Sequence, residues 1–285
     1  MRWAKGFTLL EMVVVIGIIT LLTAIFLPAL TKVRSAVRKT IGKNNLKQIA
    51  SSVSLYECDY NSYPSTSAYI ECGSPRTWLE PTAMINYEFT GPRSIAHYLE
   101  NYIDDAEIMY CPSAPGEFKY IQDAWEAGNS WDNPDTMRIN DPLFGTYSFW
   151  WNYRGWLSEK RRIFMGPKSS FGGRDESKLV ASCTFATTPN PYNINDYGDF
   201  ISCEQFKQTG KTPVNSVASP MWNRLGSSNI SRRQLNIKLN AGYTDGHVGQ
   251  FNGAATTDLK ISMSPNGGFP YFPSNLRGSF FVPLE

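Results

Sequence analysis

The chain has 285 residues, of which 42% are hydrophobic and 18% are charged. This composition is typical of one or two globular domains and excludes an intrinsically disordered chain. The formal net charge is +2, but residues 1–57 carry eight Lys or Arg and two acidic residues, whereas the other 228 residues carry 19 basic and 23 acidic residues. Because the body is slightly acidic, no nucleic-acid-binding surface is expected there.

A long apolar segment begins close to the N-terminus. Residues 7–30 contain a single charged residue, Glu11, and a membrane-spanning helix needs about 20 apolar residues. The apolar core of a cleaved secretory signal is shorter, about 7–15 residues, and is followed by small residues at its cleavage site. Here Pro28 and a basic stretch follow instead, so we expect a retained single span.

The residues at the start of this span resemble a known signal. Gly6 to Glu11 reads GFTLLE and follows two basic residues, which resembles the type III signal of type IV pilins and type II secretion pseudopilins. The resemblance implies that residues 1–6 are a leader peptide, that prepilin peptidase cuts between Gly6 and Phe7, and that the new amino group of Phe7 is methylated. It also implies a pilin-like helix over residues 7–57.

The same resemblance implies a location and a set of partners. The chain is expected to lie in the inner membrane with its head in the periplasm, and then to enter a periplasmic or surface filament. The implied partners are homologous pilin-like subunits, prepilin peptidase, an inner-membrane assembly platform and, before assembly, membrane lipid. Six basic residues follow the span within residues 32–47, so the positive-inside rule alone predicts the opposite orientation; we follow the resemblance.

Glu11 is the one acid in the span. An ionised side chain inside a bilayer is costly unless it meets an opposite charge, and cleavage would create one at the amino group of Phe7. These groups could pair between staggered neighbouring subunits, so Glu11 is predicted to set the register of filament assembly. The alternative is an acid that reaches the membrane interface.

Pro28 is the second irregularity. Proline removes the hydrogen bond to the Ala24 carbonyl, which predicts a kink or local melting of the helix. The alternative is a helix that ends at Leu27. Pilins have a proline at this place, so the resemblance implies that Pro28 is an assembly residue together with Glu11.

An amphipathic stem follows the span, with apolar residues at spacings of three to five: Val33, Val37, Ile41, Leu46, Ile49, Val53 and Tyr56. This pattern predicts a helix whose apolar stripe docks on the body, while its basic face meets solvent or, alternatively, lipid headgroups or an acidic partner. Residues 42–45 are weak helix formers that could fray or bend it. Turn-forming residues after Glu57 end the helix, so the head is expected over residues 58–285.

The body is predicted to be β-rich, with long loops. Strand-like runs lie at residues 145–156, 178–186, 234–251 and 278–284, and one helix is predicted over residues 92–103. The predicted fold class is therefore α+β: a long N-terminal helix, consisting of membrane span and stem, packed on an antiparallel β-rich, loop-rich globular head.

Asp245-Gly246 predicts a hairpin turn, because it lies between two alternating runs and glycine readily adopts positive φ. The surrounding AGYTDGHVGQF, like the Cys-Pro-Ser at Cys111, also resembles large pseudopilin-like proteins with a C-terminal Asp-Gly motif. Those proteins have a histidine at the position of Leu235. The chain has two histidines and lacks the GxSxG, HExxH and CxxC motifs, so no enzymatic activity is expected.

The aromatic residues are concentrated in one run: Tyr147, Phe149, Trp150, Trp151, Tyr153 and Trp156. Exposed aromatic rings stack on sugars, so the run is compatible with a glycan-binding head. The alternative is a strand that is covered on both faces.

The five cysteines are compatible with an oxidising compartment. Cys58 and Cys72 flank one loop and Cys183 and Cys203 flank another, so these four are the disulfide candidates and Cys111 is left over. The connectivity stays open, and buried thiols are the alternative.

Asp196 and Asp199 are weak candidates for a calcium site, since secretion pseudopilins often hold calcium in a C-terminal loop. Two acids are few for a cation that takes six to eight oxygen ligands, and a plain Asx turn is the alternative. No other cofactor is expected.

The sequence thus predicts a structural subunit of a pilin-like filament. A minor or specialised type II secretion pseudopilin is favoured, because the head is larger than a minimal major subunit requires. The alternatives are a type IV pilus minor pilin and a membrane-tethered module that binds a glycan or a secreted substrate.

Overall fold

The computed structural model of the chain describes residues 8–70, 77–78, 81–88, 91–114, 120–132, 143–157, 159–160, 162–189, 197–203, 223–226, 231–235, 237–260 and 279–284. The chain divides into two compact units, Met1–Thr40 and Ile41–Glu285. Helix α1 (Leu9–Tyr60) begins in the first unit and ends in the second.

The second unit contains two further short helices and a set of short strands. The helices are α2 (Ile95–Leu99) and α3 (Ile121–Ala127). The strands are β1 (Tyr69–Ile70), β2 (Thr77–Trp78), β3 (Ala83–Glu88), β4 (Gly91–Ser94), β5 (Leu143–Phe144), β6 (Tyr147–Phe149), β7 (Arg154–Leu157), β8 (Arg162–Met165), β9 (Leu179–Cys183), β10 (Phe185–Pro189), β11 (Tyr197–Ser202), β12 (Asn223–Gly226), β13 (Leu239–Tyr243), β14 (Val248–Phe251), β15 (Thr256–Lys260) and β16 (Ser279–Pro283).

The described strands form four sheets in which neighbouring strands are antiparallel. Their orders are β12-β11-β10-β16-β15-β7-β8, β14-β13-β9-β6, β4-β3-β5 and β1-β2. A long N-terminal helix with antiparallel sheets confirms the predicted α+β class.

The four-stranded sheet lies against the second part of α1. Every residue of β6 and β9 is buried, which requires cover on both faces of these strands. A Cβ atom added to Gly242 in β13 would lie 3.1 Å from the Leu46 carbonyl oxygen of α1. The absence of a side chain at Gly242 therefore lets the helix backbone approach the sheet.

The buried side of α1 begins at Gly42, the first of the weak helix formers at residues 42–45. Its buried residues are Gly42, Asn45, Leu46, Ile49, Ala50, Ser52 and Val53. Residues 42–45 remain helical, since packing against the rest of the unit offsets their low helix propensity.

The predicted helix over residues 92–103 is shorter in the structure. Its first part is strand β4, which pairs with β3, and α2 begins only at Ile95. Ser94 ends the strand and caps the helix, because its hydroxyl accepts a hydrogen bond from the Ala96 N–H at 3.1 Å. The pairing with β3 therefore decides the conformation of this segment.

Strands β13 and β14 form a hairpin around the turn that Asp245-Gly246 predicts. Gly246 has φ of +79°, and its N–H donates to the Tyr243 carbonyl at 2.9 Å. Asp245 does not have a positive φ. The turn is therefore not of type I′, which requires a positive φ at both central residues.

Candidate functional site

The apolar N-terminal part of α1 is the main exposed hydrophobic surface of the described residues. Every residue from Thr8 to Ala29 is exposed, although this stretch is long and apolar enough to cross a membrane by length and composition. Apolar side chains in such number are normally covered in a folded protein. This part of α1 is therefore suited to contact lipid or other helices.

Glu11 has a partner within its own helix. The Thr8 backbone N–H and the Thr8 hydroxyl donate to Glu11 Oε2 at 2.8 and 2.9 Å, and the Glu11 N–H donates to Thr8 Oγ1 at 3.3 Å. This reciprocal pattern is a capping box at the start of α1. The Thr-x-x-Glu spacing typical of a capping box is present at residues 8–11 of the sequence.

Gly6 and Phe7, the predicted cleavage and methylation site, lie outside the described residues. The structure therefore describes only the acid of the predicted pairing between Glu11 and the amino group of Phe7.

Helix α1 continues through Pro28. The alternative in which the helix ends at Leu27 is therefore excluded, and the residues around Pro28 are not melted. The Thr31 hydroxyl donates to the Pro28 carbonyl at 2.9 Å, and the Thr23 hydroxyl donates to the Ile19 carbonyl at 2.9 Å. Such side-chain bonds to the backbone accompany proline in apolar helices, where no water is present to satisfy carbonyl groups.

The second part of α1 is joined to the head by polar as well as apolar contacts. Asn45 Nδ2 donates to the Tyr110 carbonyl at 3.1 Å, and the Ser52 hydroxyl donates to the Tyr102 carbonyl at 3.2 Å. Near the end of the helix, the Ser170 N–H donates to Glu57 Oε2 at 2.9 Å. These bonds fix the rotation of the helix about its axis, because each one requires a particular face of α1.

The structure describes four of the five cysteines, so the Cys58–Cys72 candidate pair stays a prediction. Cys72 lies outside the described residues, and Cys58 is an exposed thiol at the end of α1. Cys183 and Cys203 are buried thiols that lie together, but Cys111 joins them, and the three Sγ atoms lie within 4.8 Å of one another. Cys111 is therefore part of a cluster rather than left over.

The surroundings of Cys111 favour its thiolate form. Burial raises the pKa of the Cys111 thiol, but the Cys183 and Cys203 thiols and the backbone N–H groups of Ser113 and Ala114 hydrogen-bond to its sulfur and hold the pKa well below its usual value.

The weak calcium candidates, Asp196 and Asp199, stay a prediction, because the structure describes only one of the two residues. Asp199 lies in β11, and Asp196 lies outside the described residues.

In the hairpin turn, Asp245 accepts hydrogen bonds from the His247 backbone N–H at 3.1 Å and from the His247 ring at 2.5 Å, and these bonds lower the pKa of Asp245. This pair is exposed in the hairpin turn and stabilises the turn.

Five of the six residues of the aromatic run lie in the core. Tyr147, Phe149, Trp150, Trp151 and Tyr153 are all at most 2% exposed, and Trp156 lies in β7. A glycan-binding surface built from these five rings is therefore excluded. The sequence could not show this burial by alternation of apolar and polar residues, because a strand that is covered on both faces has no such alternation.

Comparisons with known proteins match the N-terminal region. The chain is 40% identical over 68 residues to the type IV wide pilus major component PilA4 of Thermus thermophilus, which is 24% of this chain and 52% of PilA4. It is 34% identical over 70 residues to the type II secretion system core protein G of Pseudomonas aeruginosa, which is 25% of this chain and 49% of that protein.

These matches cover about half the length of each relative. No family model matches the chain, and no solved structure matches it. Over its N-terminal region, the chain is related to type IV pilins and type II secretion pseudopilins.

Proposed function

We propose that the chain is a structural subunit of a pilin-like filament, with a minor or specialised role in a type II secretion pseudopilus. The observation that carries this proposal is the division of α1. Its N-terminal part is apolar and exposed as far as Ala29, whereas residues such as Leu46, Ile49 and Val53 are fully buried in the head. One part of the helix therefore offers an apolar surface for lipid or neighbouring subunits, and the other part is packed into the core of the head.

The size of the chain supports the specialised role. The same 68 residues are 52% of PilA4 but only 24% of this chain, so this chain is about twice as long. A head with this much additional mass would occupy more space around a filament axis than a major subunit needs. A minor pilin of a type IV pilus has the same requirements and is the second candidate.

Export and processing belong to the same proposal. Prepilin peptidase would remove residues 1–6, the chain would lie in the inner membrane with its head in the periplasm, and an assembly platform would move it into the filament. A membrane-tethered binding module is less favoured, because five of the six aromatic side chains that motivated it are buried. No described feature favours an enzyme.

The proposal is tested by expressing the full chain with and without a prepilin peptidase and then with a complete pseudopilus assembly system. With the peptidase, the N-terminal peptide is expected to begin at Phe7 and to carry one methyl group in mass spectrometry. Without it, the chain should begin at or near Met1. The processed chain should then appear in sheared filament fractions. A chain that is not cleaved after Gly6 in the presence of the peptidase, or that stays in the membrane fraction, would contradict the proposal.

A further inference from the structure

We propose that Cys111, Cys183 and Cys203 form a buried three-thiolate binding site for a thiophilic metal ion such as Zn²⁺. The site lies in the head and does not depend on the proposed filament function.

The three thiols come from separate parts of the chain. Cys183 is the last residue of β9, Cys203 follows β11, and Cys111 follows a single 3₁₀ turn over Ala106–Met109. Cys183 is held by the pairing of β9 with β6. The Cys111 N–H donates to Thr146 Oγ1 at 2.7 Å, and the Cys203 N–H donates to the Thr184 carbonyl at 3.3 Å. The cluster is therefore built on paired strands, which makes its geometry rigid.

The spacing of the sulfur atoms fits a shared metal. A Zn–S bond of about 2.3 Å places two thiolates of a tetrahedral site about 3.8 Å apart, and the three Sγ atoms lie within 4.8 Å of one another. A small movement of each side chain would bring all three onto one ion. A disulfide, with sulfurs about 2.05 Å apart, would use two of the three cysteines and leave the third buried beside it.

Tyr147 gives a second and independent indication. Its hydroxyl is buried and lies near the side chain of Asn45, but the Asn45 amide donates to the Tyr110 carbonyl and the Tyr147 hydroxyl makes no hydrogen bond of normal geometry among the described residues, which is costly for a polar group in a core. Tyr147 pairs directly with Cys183 in the register of β6 and β9, so both side chains lie on the same face of the sheet.

A metal–thiolate centre would satisfy this hydroxyl. Three thiolates around a divalent ion carry a net negative charge, and a neighbouring O–H can donate to a ligating sulfur. A disulfide between two of the cysteines provides no comparable acceptor, so it does not account for Tyr147.

The test uses the full chain, purified in detergent with its thiols reduced, and Zn²⁺ alone as the ligand. We expect one zinc per chain in elemental analysis after dialysis, and a thermal unfolding midpoint that rises with zinc concentration, because an ion that binds only the folded state stabilises it. Cobalt(II), as a spectroscopic substitute, should give the strong absorption of thiolate-to-metal charge transfer. A Cu⁺ titration of the same sample shows whether a softer ion is preferred.

Two variants and one control separate the site from general effects on folding. Cys111→Ser should weaken zinc binding at least tenfold. Since a buried serine could also disturb folding, Tyr147→Phe provides a second variant that keeps the ring packing; it is expected to weaken binding about tenfold or more. Cys58→Ser, which changes an exposed thiol outside the cluster, should bind zinc as the native chain does. Two results would overturn the proposal: no stoichiometric zinc in folded chain with all three thiols reduced, or a disulfide among these three cysteines in peptide maps of protein isolated from the periplasm.

Discussion

The Glu11 carboxylate accepts hydrogen bonds from both the backbone N–H and the hydroxyl of Thr8, at 2.8 and 2.9 Å. This gives Glu11 a role in the single chain, where it caps the first turn of α1, besides the role in assembly that its charge predicts. The two roles require different chemistry. A glutamine at this position can still complete a capping box, whereas only an ionised carboxylate can pair with the amino group of a neighbouring subunit.

The first prediction uses this difference. Glu11→Gln keeps the cap and removes the charge, whereas Glu11→Ala removes both. We expect both variants to insert into the membrane, because removing a charge makes an apolar helix more compatible with lipid. Both should lose filament assembly, since apolar helices without the charge pair can slide past one another at several offsets. The measurements are filament yield in the sheared fraction and membrane fractionation of the monomer.

Thr8→Val is the matched control for the cap, because it removes the hydroxyl and keeps the carboxylate. It should fray the first turn and reduce assembly less than Glu11→Gln does. If Glu11→Gln assembles at native yield and Glu11→Ala does not, the cap is the function of Glu11 and the assembly hypothesis is wrong.

The second prediction concerns where the head begins. The sequence places its start after Glu57, whereas the compact unit of the structure begins at residue 41. A fragment that starts at residue 58 lacks Leu46, Ile49 and Val53, which are all 0% exposed. Removing one such side chain costs about 2–5 kcal/mol, and a domain has about 5–15 kcal/mol in total. We therefore expect residues 41–285 to unfold cooperatively on heating and residues 58–285 not to do so. Equal midpoints by circular dichroism would show that the stem is dispensable.

The features that the sequence predicts correctly are local ones. The apolar run of α1 has a length and periodicity that depend only on neighbouring residues, and the Asp245-Gly246 hairpin follows from the backbone freedom of one glycine. The continuation of α1 through Pro28 is also local, but the sequence left it open because proline disrupts helices to different degrees in water and in apolar surroundings.

The features that the sequence does not predict depend on contacts between distant residues. Three cysteines, Cys111, Cys183 and Cys203, meet only after three separate segments have folded. The sequence predicted Cys183 and Cys203 as a pair because they flank one loop, and it left Cys111 out. The burial of Trp150 and Trp151 likewise depends on which elements cover the strand. The Thr8–Glu11 cap was predictable from its spacing, but the charge of Glu11 indicated a different role.

The third prediction tests the contact between α1 and the sheet. In Gly242→Ala, the new Cβ would lie 3.1 Å from the Leu46 carbonyl oxygen, so the helix or the strand must shift. Such overpacking costs about 1–3 kcal/mol. Gly249→Ala is the control, because in the paired strand β14 the new Cβ would meet the ring of Tyr243 at 3.3 Å, and a half-buried ring can move. The free energies of unfolding of the two variants, measured with denaturant, should differ by about 1 kcal/mol or more, with Gly242→Ala the less stable. Equal unfolding midpoints would mean that the helix does not approach β13 this closely.

The fourth prediction is a pH dependence of stability at Glu159. Its carboxylate pairs with Arg232, with Nη2 and Oε2 2.6 Å apart, and the Arg232 side chain is buried while Glu159 is 44% exposed. The hydrogen bond from Arg232 lowers the pKa of Glu159. Because the folded-state pKa is below the unfolded-state pKa, the pair stabilises the fold fully above the ordinary glutamate pKa, and this stabilisation is lost as the pH falls through the lowered value.

Glu159→Gln should therefore reduce the free energy of unfolding at pH 7 by about 1 kcal/mol, a value kept small because solvent screens a carboxylate this exposed. The difference between the native chain and the variant should shrink as the pH is lowered and vanish once Glu159 is protonated. Glu126→Gln, at an exposed position on α3, is the matched control and should leave stability nearly unchanged at each pH. The measurement is denaturant unfolding across the acidic range. A Glu159→Gln difference that persists unchanged at the lowest pH would show that the variant acts through packing or hydrogen bonding to Arg232, and not through the charge of the pair.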